Sequence, residues 1–171
     1  MKNYARWLSE ELRCDLLDGG KVTPKDLMKY DTIIYGAGLY ASGISGIKLI
    51  TKNYSLLKDK RLYVFAVGAS PVRTETTTLL RASNFTDEWK HKLSFYYLRG
   101  GFDYTRLSRF YRFLMTLKKL QLKRMKNPDA DATGMLASYD HPLDFTKKKH
   151  IEPMVRDIFE DPTYQLQTQE G

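Results

Sequence analysis

The fold is decided by the stretch Asp31-Thr32-Ile33-Ile34-Tyr35, which runs directly into Gly36-Ala37-Gly38. Its β-branched and aromatic residues predict a strand, and so continuous an apolar run indicates burial on both faces, as in a parallel sheet. Two similar strands are predicted over residues 61–68 and 93–98, and glycine follows or closes each of them.

Helical patterns alternate with these strands. We predict helices over residues 3–13, 24–29, 45–57, 75–85, 86–92, 104–126 and 148–160. Such alternation predicts an α/β fold with a mostly parallel sheet and helices on both faces. In sheets of this kind, ligands bind beyond the carboxyl ends of the strands.

Three glycine-containing segments follow the predicted strands, at residues 36–44, 68–71 and 99–104. Glycines there either turn the chain or allow a flat ligand to approach the backbone, and three on one edge favour a ligand crevice. A nicotinamide dinucleotide fingerprint is excluded, because the glycine after Gly36 and Gly38 comes only at Gly43.

These segments resemble the flavodoxin-domain family that includes menaquinone-dependent protoporphyrinogen oxidase. The resemblance is carried by residues 30–44, by residues 61–71, by Leu98-Arg99-Gly100-Gly101-Phe102-Asp103-Tyr104 with the basic helix after it, and by residues 139–146. It implies a five-stranded parallel sheet and bound flavin mononucleotide (FMN), with electron transfer or an oxidoreductase activity such as protoporphyrinogen dehydrogenation.

The resemblance also implies which residues contact the flavin ring. They are Gly38, Leu39, Tyr40, Ala41, Ser42 and Gly43 in one loop, and Gly68, Ala69, Ser70 and Pro71 in the next. Tyr40 is either a ring-stacking residue or an exposed loop aromatic. The sequence assigns no catalytic residue and no metal-ligand cluster, and His91, His141 and His150 are interpreted as surface residues.

The chain departs from the family pattern at its start. A flavodoxin opens with a strand and a hydroxyl-rich phosphate loop, whereas here Met1 leads directly into the first predicted helix. We therefore expect the usual first, central strand to be missing. Either the true start lies upstream or the gene is shortened, and we favour the former. The alternative to a flavin protein is a truncated, non-flavin-binding remnant or interaction domain.

The 171 residues suit one domain, predicted over residues 1–161, with a polar tail over 162–171. One cysteine, Cys14, excludes an internal disulfide. No signal peptide or membrane-spanning run is evident, so a cytoplasmic location is expected.

The net charge of +8 is local, because residues 106–126 carry eight basic residues and no acid, and the rest of the chain balances. This predicted basic helix is a solvated face, a surface that docks on the inner face of a membrane, or a nucleic-acid contact. Nucleic acid is the least favoured partner, since no binding motif accompanies the charge. A redox partner or a small-molecule substrate is expected in addition.

Overall fold

The computed structural model describes residues 1–40, 42–107, 109–128 and 130–161. The chain forms two compact units. The sheet unit comprises Met1–Arg99 and the chain from Thr146 onward, and the helical unit comprises Gly100–Phe145. The domain boundaries predicted from the sequence stay a prediction, and the tail at 162–171 lies outside the described residues.

The secondary structure follows the predicted alternation of helices and strands. In chain order the elements are α1 (Lys2–Leu12), α2 (Pro24–Leu27), β1 (Thr32–Tyr40), β2 (Gly43–Ile44), α3 (Lys48–Thr51), α4 (Tyr54–Leu57), β3 (Arg61–Gly68), α5 (Thr74–Asn84), α6 (Asp87–Lys90), β4 (Leu93–Arg99), β5 (Gly101–Phe102), α7 (Arg109–Lys123), α8 (Ala130–Ala137), β6 (Leu143–Asp144) and α9 (Glu152–Glu160). Short 3₁₀ turns lie at Tyr104–Arg106 and Lys148–Ile151.

The main sheet has the order β2-β1-β3-β4. Strands β1, β3 and β4 are parallel, and β2 pairs antiparallel with the end of β1 through Leu39 and Tyr40. This confirms the predicted α/β fold with a mostly parallel sheet. Instead of the five parallel strands that the resemblance implies, the described residues supply three. No described strand pairs with Thr32–Gly38 on the side away from β3.

Two apolar cores cover the two faces of this sheet. On one face, Ile33, Val64 and Phe95 pack with Ile50 of α3 and Leu80 of α5. The core on the opposite face is formed by strand residues and helix residues together: Ile34, Tyr63, Phe65, Val67 and Leu98 pack with Tyr4, Leu8 and Leu12 of α1 and with Met154 and Ile158 of α9. Strand β3 is buried on both sides, which explains its unbroken apolar sequence.

Two predicted boundaries around β1 are wrong. The segment 36–40 is strand rather than loop, because β1 continues through the glycines into a hairpin with β2. The predicted helix at 45–57 is two single turns, because Asn53 leaves the helical conformation and its side chain donates a hydrogen bond to the Leu49 carbonyl.

The helical unit also differs from its prediction. The helix expected over 104–126 is interrupted, since Asp103 accepts a hydrogen bond from the Thr105 amide and closes a 3₁₀ turn, after which Leu107 is extended. Helix α7 therefore begins only at Arg109. Within the unit, the Tyr139 hydroxyl donates to the Met115 carbonyl, and the Tyr139 ring contacts Phe102.

The contrast between Gly36 and Gly38 gives a test of the packing of β1. A Cβ at Gly36 would lie 2.0 Å from the Phe65 ring, whereas a Cβ at Gly38 would meet nothing within 4 Å. We expect Gly36→Ala to lower the free energy of unfolding by about 1–3 kcal/mol through overpacking. Gly38→Ala is the control and should change it by less than about 0.5 kcal/mol. Equal urea midpoints for the two variants would contradict this packing.

Candidate functional site

The carboxyl ends of β1 and β3 meet at one edge of the sheet, because the strands are parallel and Gly38 lies beside Val67. Of the residues predicted to contact the flavin ring, Gly38, Leu39 and Tyr40 end β1, Ser42 and Gly43 lie in the hairpin, and Ala41 lies outside the described residues. Gly68 ends β3, and Ala69, Ser70 and Pro71 follow it. The structure thus brings both predicted segments to one edge.

The hairpin after β1 is held by a residue of α5. The Asn84 side-chain amide donates to the Ser42 carbonyl at 2.7 Å, and its oxygen accepts from the Ile44 amide at 2.8 Å. Because both hydrogen bonds are to the hairpin backbone, Asn84 holds the hairpin in a way that does not depend on the side chains of the hairpin. The Tyr40 side chain next to the hairpin is 47% exposed.

The segment after β3 is held by β4 in the same manner. The Tyr97 hydroxyl donates to the Ser70 carbonyl at 3.0 Å, and the Arg99 Nε donates to the Ala69 carbonyl at 3.3 Å. Burial raises the pKa of Tyr97, so the hydroxyl keeps its proton and remains a donor. Arg99 also brings positive charge to this edge of the sheet.

The physical reason for glycine differs from one of these segments to the next. At Gly68 a Cβ would lie 2.7 Å from the Tyr97 hydroxyl and 3.1 Å from Leu39 Cδ1, so close packing alone requires glycine there. At Gly38 the space is open. The third glycine segment belongs to the helical unit, where a Cβ at Gly101 would lie 2.5 Å from the Leu143 carbonyl oxygen. Among the glycines described at the ends of β1 and β3, an added Cβ would meet open space at Gly38 and an ordinary 3.5 Å contact with the Tyr40 carbonyl oxygen at Gly43.

The start of α1 reaches the same edge of the sheet. Tyr4, which is fully buried, donates from its hydroxyl to the carbonyl of Arg99 at 2.6 Å, and that hydroxyl lies 2.7 Å from Nδ1 of His150. His150 is therefore half-buried, not a surface residue as the sequence suggested, whereas His91 and His141 are exposed. Burial lowers the pKa of His150, with Lys149, Lys147 and Arg99 adding to the effect.

The comparison with protein families agrees with this architecture. A sequence profile described as the flavodoxin domain matches residues 2–129, which is most of the chain. The chain therefore belongs to the flavodoxin-domain family. No match was found among curated proteins or among solved structures.

FMN, the cofactor that this family implies, fits the site in part. The open backbone at Gly38 and the exposed ring of Tyr40 suit the face of a flavin. For a phosphate, the described residues offer the amides of the first turn of α1 and the ammonium of Lys2, and Met1 provides no side-chain cap. The ring thus has a better-formed site than the phosphate.

Sequence reasoning missed Asn84, Tyr97 and Arg99, which hold the two segments. Arg99 could have been identified from the sequence, because a polar residue at the carboxyl end of a parallel strand indicates a position at the ligand-binding edge. Nothing in the sequence around Asn84 pairs it with Ser42, because the two are joined only by the fold. Among the residues that the structure describes, no cluster of potential metal ligands is present.

The His150 contact predicts a pH dependence of stability. Because the folded protein holds the pKa of His150 below its ordinary value of 6.5, the unfolded chain binds the proton more tightly. The free energy of unfolding should fall as the pH is lowered from about 7.5 to about 5.5. His150→Asn keeps a donor near Tyr4 but cannot titrate, so it should remove this loss.

The exposed His91 supplies the control. His91→Asn should leave the pH dependence of the urea midpoint as it is in the unmodified chain. If the loss of stability survives in His150→Asn, or disappears equally in both variants, the pH effect does not arise from the Tyr4 contact.

Proposed function

We propose that this chain binds a flavin at the ends of β1 and β3 and takes part in electron transfer. The observation that carries the proposal is the open backbone of Gly38 beside the exposed Tyr40, at the edge where α/β proteins bind ligands. When bound, the flavin supplies the redox chemistry, and the protein supplies position and electrostatics.

The chain's own residues have defined parts in this proposal. Tyr40 stacks on the ring, and the hairpin that carries it is fixed by Asn84. The segment after Gly68 is fixed by Tyr97 and Arg99 and borders the ring from the side of β3. The positive charge of Arg99 stabilises negative charge on a reduced flavin.

The finer proposal is an oxidoreductase similar to protoporphyrinogen dehydrogenase, working in the cytoplasm. It is supported by the resemblance of residues 30–44, 61–71 and 98–104 to the flavodoxin-domain family that includes menaquinone-dependent protoporphyrinogen oxidase. The competing proposal is a flavodoxin-fold domain that binds no flavin and serves interactions. It is favoured by the amino end of α1, where the described residues provide no side-chain cap.

Titration with flavins separates these two proposals. We expect fluorescence quenching of both FMN and riboflavin, with affinities within about tenfold of each other, because a few helix amides and one lysine add little for the phosphate. Tyr40→Ala should weaken both by about 2–10-fold, as expected for loss of one aromatic contact.

The control is Leu56→Ala, which removes an exposed apolar side chain of α4, ahead of the amino end of β3. It should leave both affinities unchanged. A protein that quenches neither flavin would support the interaction domain. A very large preference for FMN over riboflavin would show that phosphate contacts dominate, against the geometry.

A second proposal concerns helix α7, which we propose docks on an anionic membrane surface. Its exposed apolar residues lie on one helical face: Phe110, Phe113, Leu114, Leu117 and Leu120. Phe110 is 65% exposed and Phe113 is 60% exposed, which a merely solvated helix does not explain. Tyr111 and Leu122 lie on the opposite, more buried face.

The charge of α7 indicates the kind of surface that it meets. Arg109 and Lys118 border the apolar face, and the segment 106–126 contains no acid to repel anionic lipid. Arg112 and Lys119 instead bond within the helical unit, to the Thr105 carbonyl and to Asp140. No described helix is long and apolar enough to cross a bilayer, so the contact proposed is peripheral.

Vesicle flotation tests this membrane contact. The chain should float with vesicles of phosphatidylcholine and phosphatidylglycerol at low salt and much less with phosphatidylcholine alone. Phe110→Ser with Phe113→Ser should lower the bound fraction at least tenfold, since each buried phenylalanine contributes about 1.5–3 kcal/mol.

Leu79→Ser is the control, because Leu79 is 66% exposed on α5 and lies outside α7. It should not change flotation. Equal binding to both vesicle types, or a dimer in solution that the double variant dissociates, would show that another partner covers the apolar face of α7.

A further inference from the structure

The edge of β1 that faces away from β3 is open along most of its length. The Asp31 carbonyl accepts a hydrogen bond from the Arg61 amide, so the alternate residues Ile33, Tyr35 and Ala37 direct their backbone groups to β3. The backbone groups of Thr32, Ile34 and Gly36 therefore point the other way. Within the part of the chain that the structure describes, they make no hydrogen bond.

The open edge forms one side of a groove with a volume of about 980 Å³. Leu8 and Leu12 of α1 line it from the helical layer on one face of the sheet, and Val22, Leu27 and Leu49 line it from the other layer. The Thr32 hydroxyl, in the lining, is buried and has no hydrogen-bond partner among the described residues.

The groove has apolar walls on both faces and unpaired backbone groups along one side, and these features define the kind of molecule that it can bind. Only an extended peptide satisfies alternate backbone groups of a strand edge, and covering on both faces requires apolar side chains throughout. The groups from Thr32 to Gly36 span about 13 Å, the length of four residue steps. A strand of about six residues is therefore long enough.

Charge at the two ends of the groove sets the direction of the occupant. Helix α1 runs antiparallel to β1, because Tyr4 contacts the end of β4 whereas Asp15 accepts a hydrogen bond from Tyr30, just before β1. Asp15 and Asp18 consequently lie at the amino end of β1, and Lys2 and Arg6 at its carboxyl end. A strand parallel to β1 places its ammonium group by the acids and its carboxylate by the bases.

We propose that this groove binds an apolar peptide strand of about six residues, which adds to the sheet in parallel with β1. The bound strand pairs with Thr32, Ile34 and Gly36 and packs between the two helical layers. The proposal does not depend on flavin binding, since the groove lining contains none of the residues predicted to contact the flavin ring.

Titration calorimetry with the synthetic peptide Lys-Val-Ile-Ile-Val-Tyr, with free termini, tests the proposal. The reversed peptide Tyr-Val-Ile-Ile-Val-Lys has the same composition and should bind at least tenfold more weakly, because its lysine meets the basic end. A version of the first peptide with an N-methyl group on every backbone amide cannot donate to β1 from either edge and should not bind measurably.

A protein variant tests the direction separately. Asp15→Asn with Asp18→Asn should weaken the first peptide several-fold and reduce the difference between the two directions, whereas Asp59→Asn, outside the groove lining, should change neither. The proposal is overturned if the N-methylated peptide binds as well as its parent, or if no peptide binds. A dimer that the peptide does not dissociate would assign the groove to a second copy of the chain.

Discussion

The structure depends on the parallel pairing of β3 with β1 on one side and β4 on the other. Strand β3 is buried along both faces, so its backbone polar groups must be satisfied by these two neighbours. The same pairing sends alternate side chains into two separate cores, one beneath α3 and α5 and the other beneath α1 and α9. It also aligns the ends of β1 and β3, where the candidate flavin site lies.

The pairing has an unequal effect on the two sides of β1. One side is satisfied by β3, and the other is open from Thr32 to Gly36 until Ser45 donates to the Gly38 carbonyl in the hairpin with β2. Unpaired backbone groups and apolar walls therefore occur together in the groove, whereas the hairpin end of β1 is held in place by Asn84. The candidate ring site and the strand groove thus lie along the same strand, β1. They differ because the backbone is hydrogen-bonded on both sides at the hairpin and only on the β3 side at the groove.

The sequence was sufficient for the parts of this account that depend on local pattern. The apolar runs at 31–35, 61–68 and 93–98 predicted the three parallel strands, because burial on both faces leaves a continuous signal. From the resemblance we also predicted that the usual first, central strand is missing, and among the described residues β1 pairs with β2 and β3. The family itself is confirmed over residues 2–129.

Features that depend on contacts between distant residues could not be predicted. At Gly36 and Gly68 an added Cβ would meet the Phe65 ring and the Tyr97 hydroxyl, and neither contact has a local signal in the sequence. Tyr4 and His150 are 146 positions apart, so their hydrogen bond was invisible until the fold was known. The break at Leu107 depends on the side chain of Asp103, which competes with the helix for the Thr105 amide.

Amide hydrogen exchange along β1, measured residue by residue by NMR, is the most direct test of the central claim. The pairing predicts slow exchange at Ile33, Tyr35 and Ala37, whose amides point to β3, and much faster exchange at Ile34 and Gly36, whose amides face the groove. Uniformly slow exchange at all five amides would contradict the open edge. Uniformly fast exchange would contradict the pairing of β1 with β3.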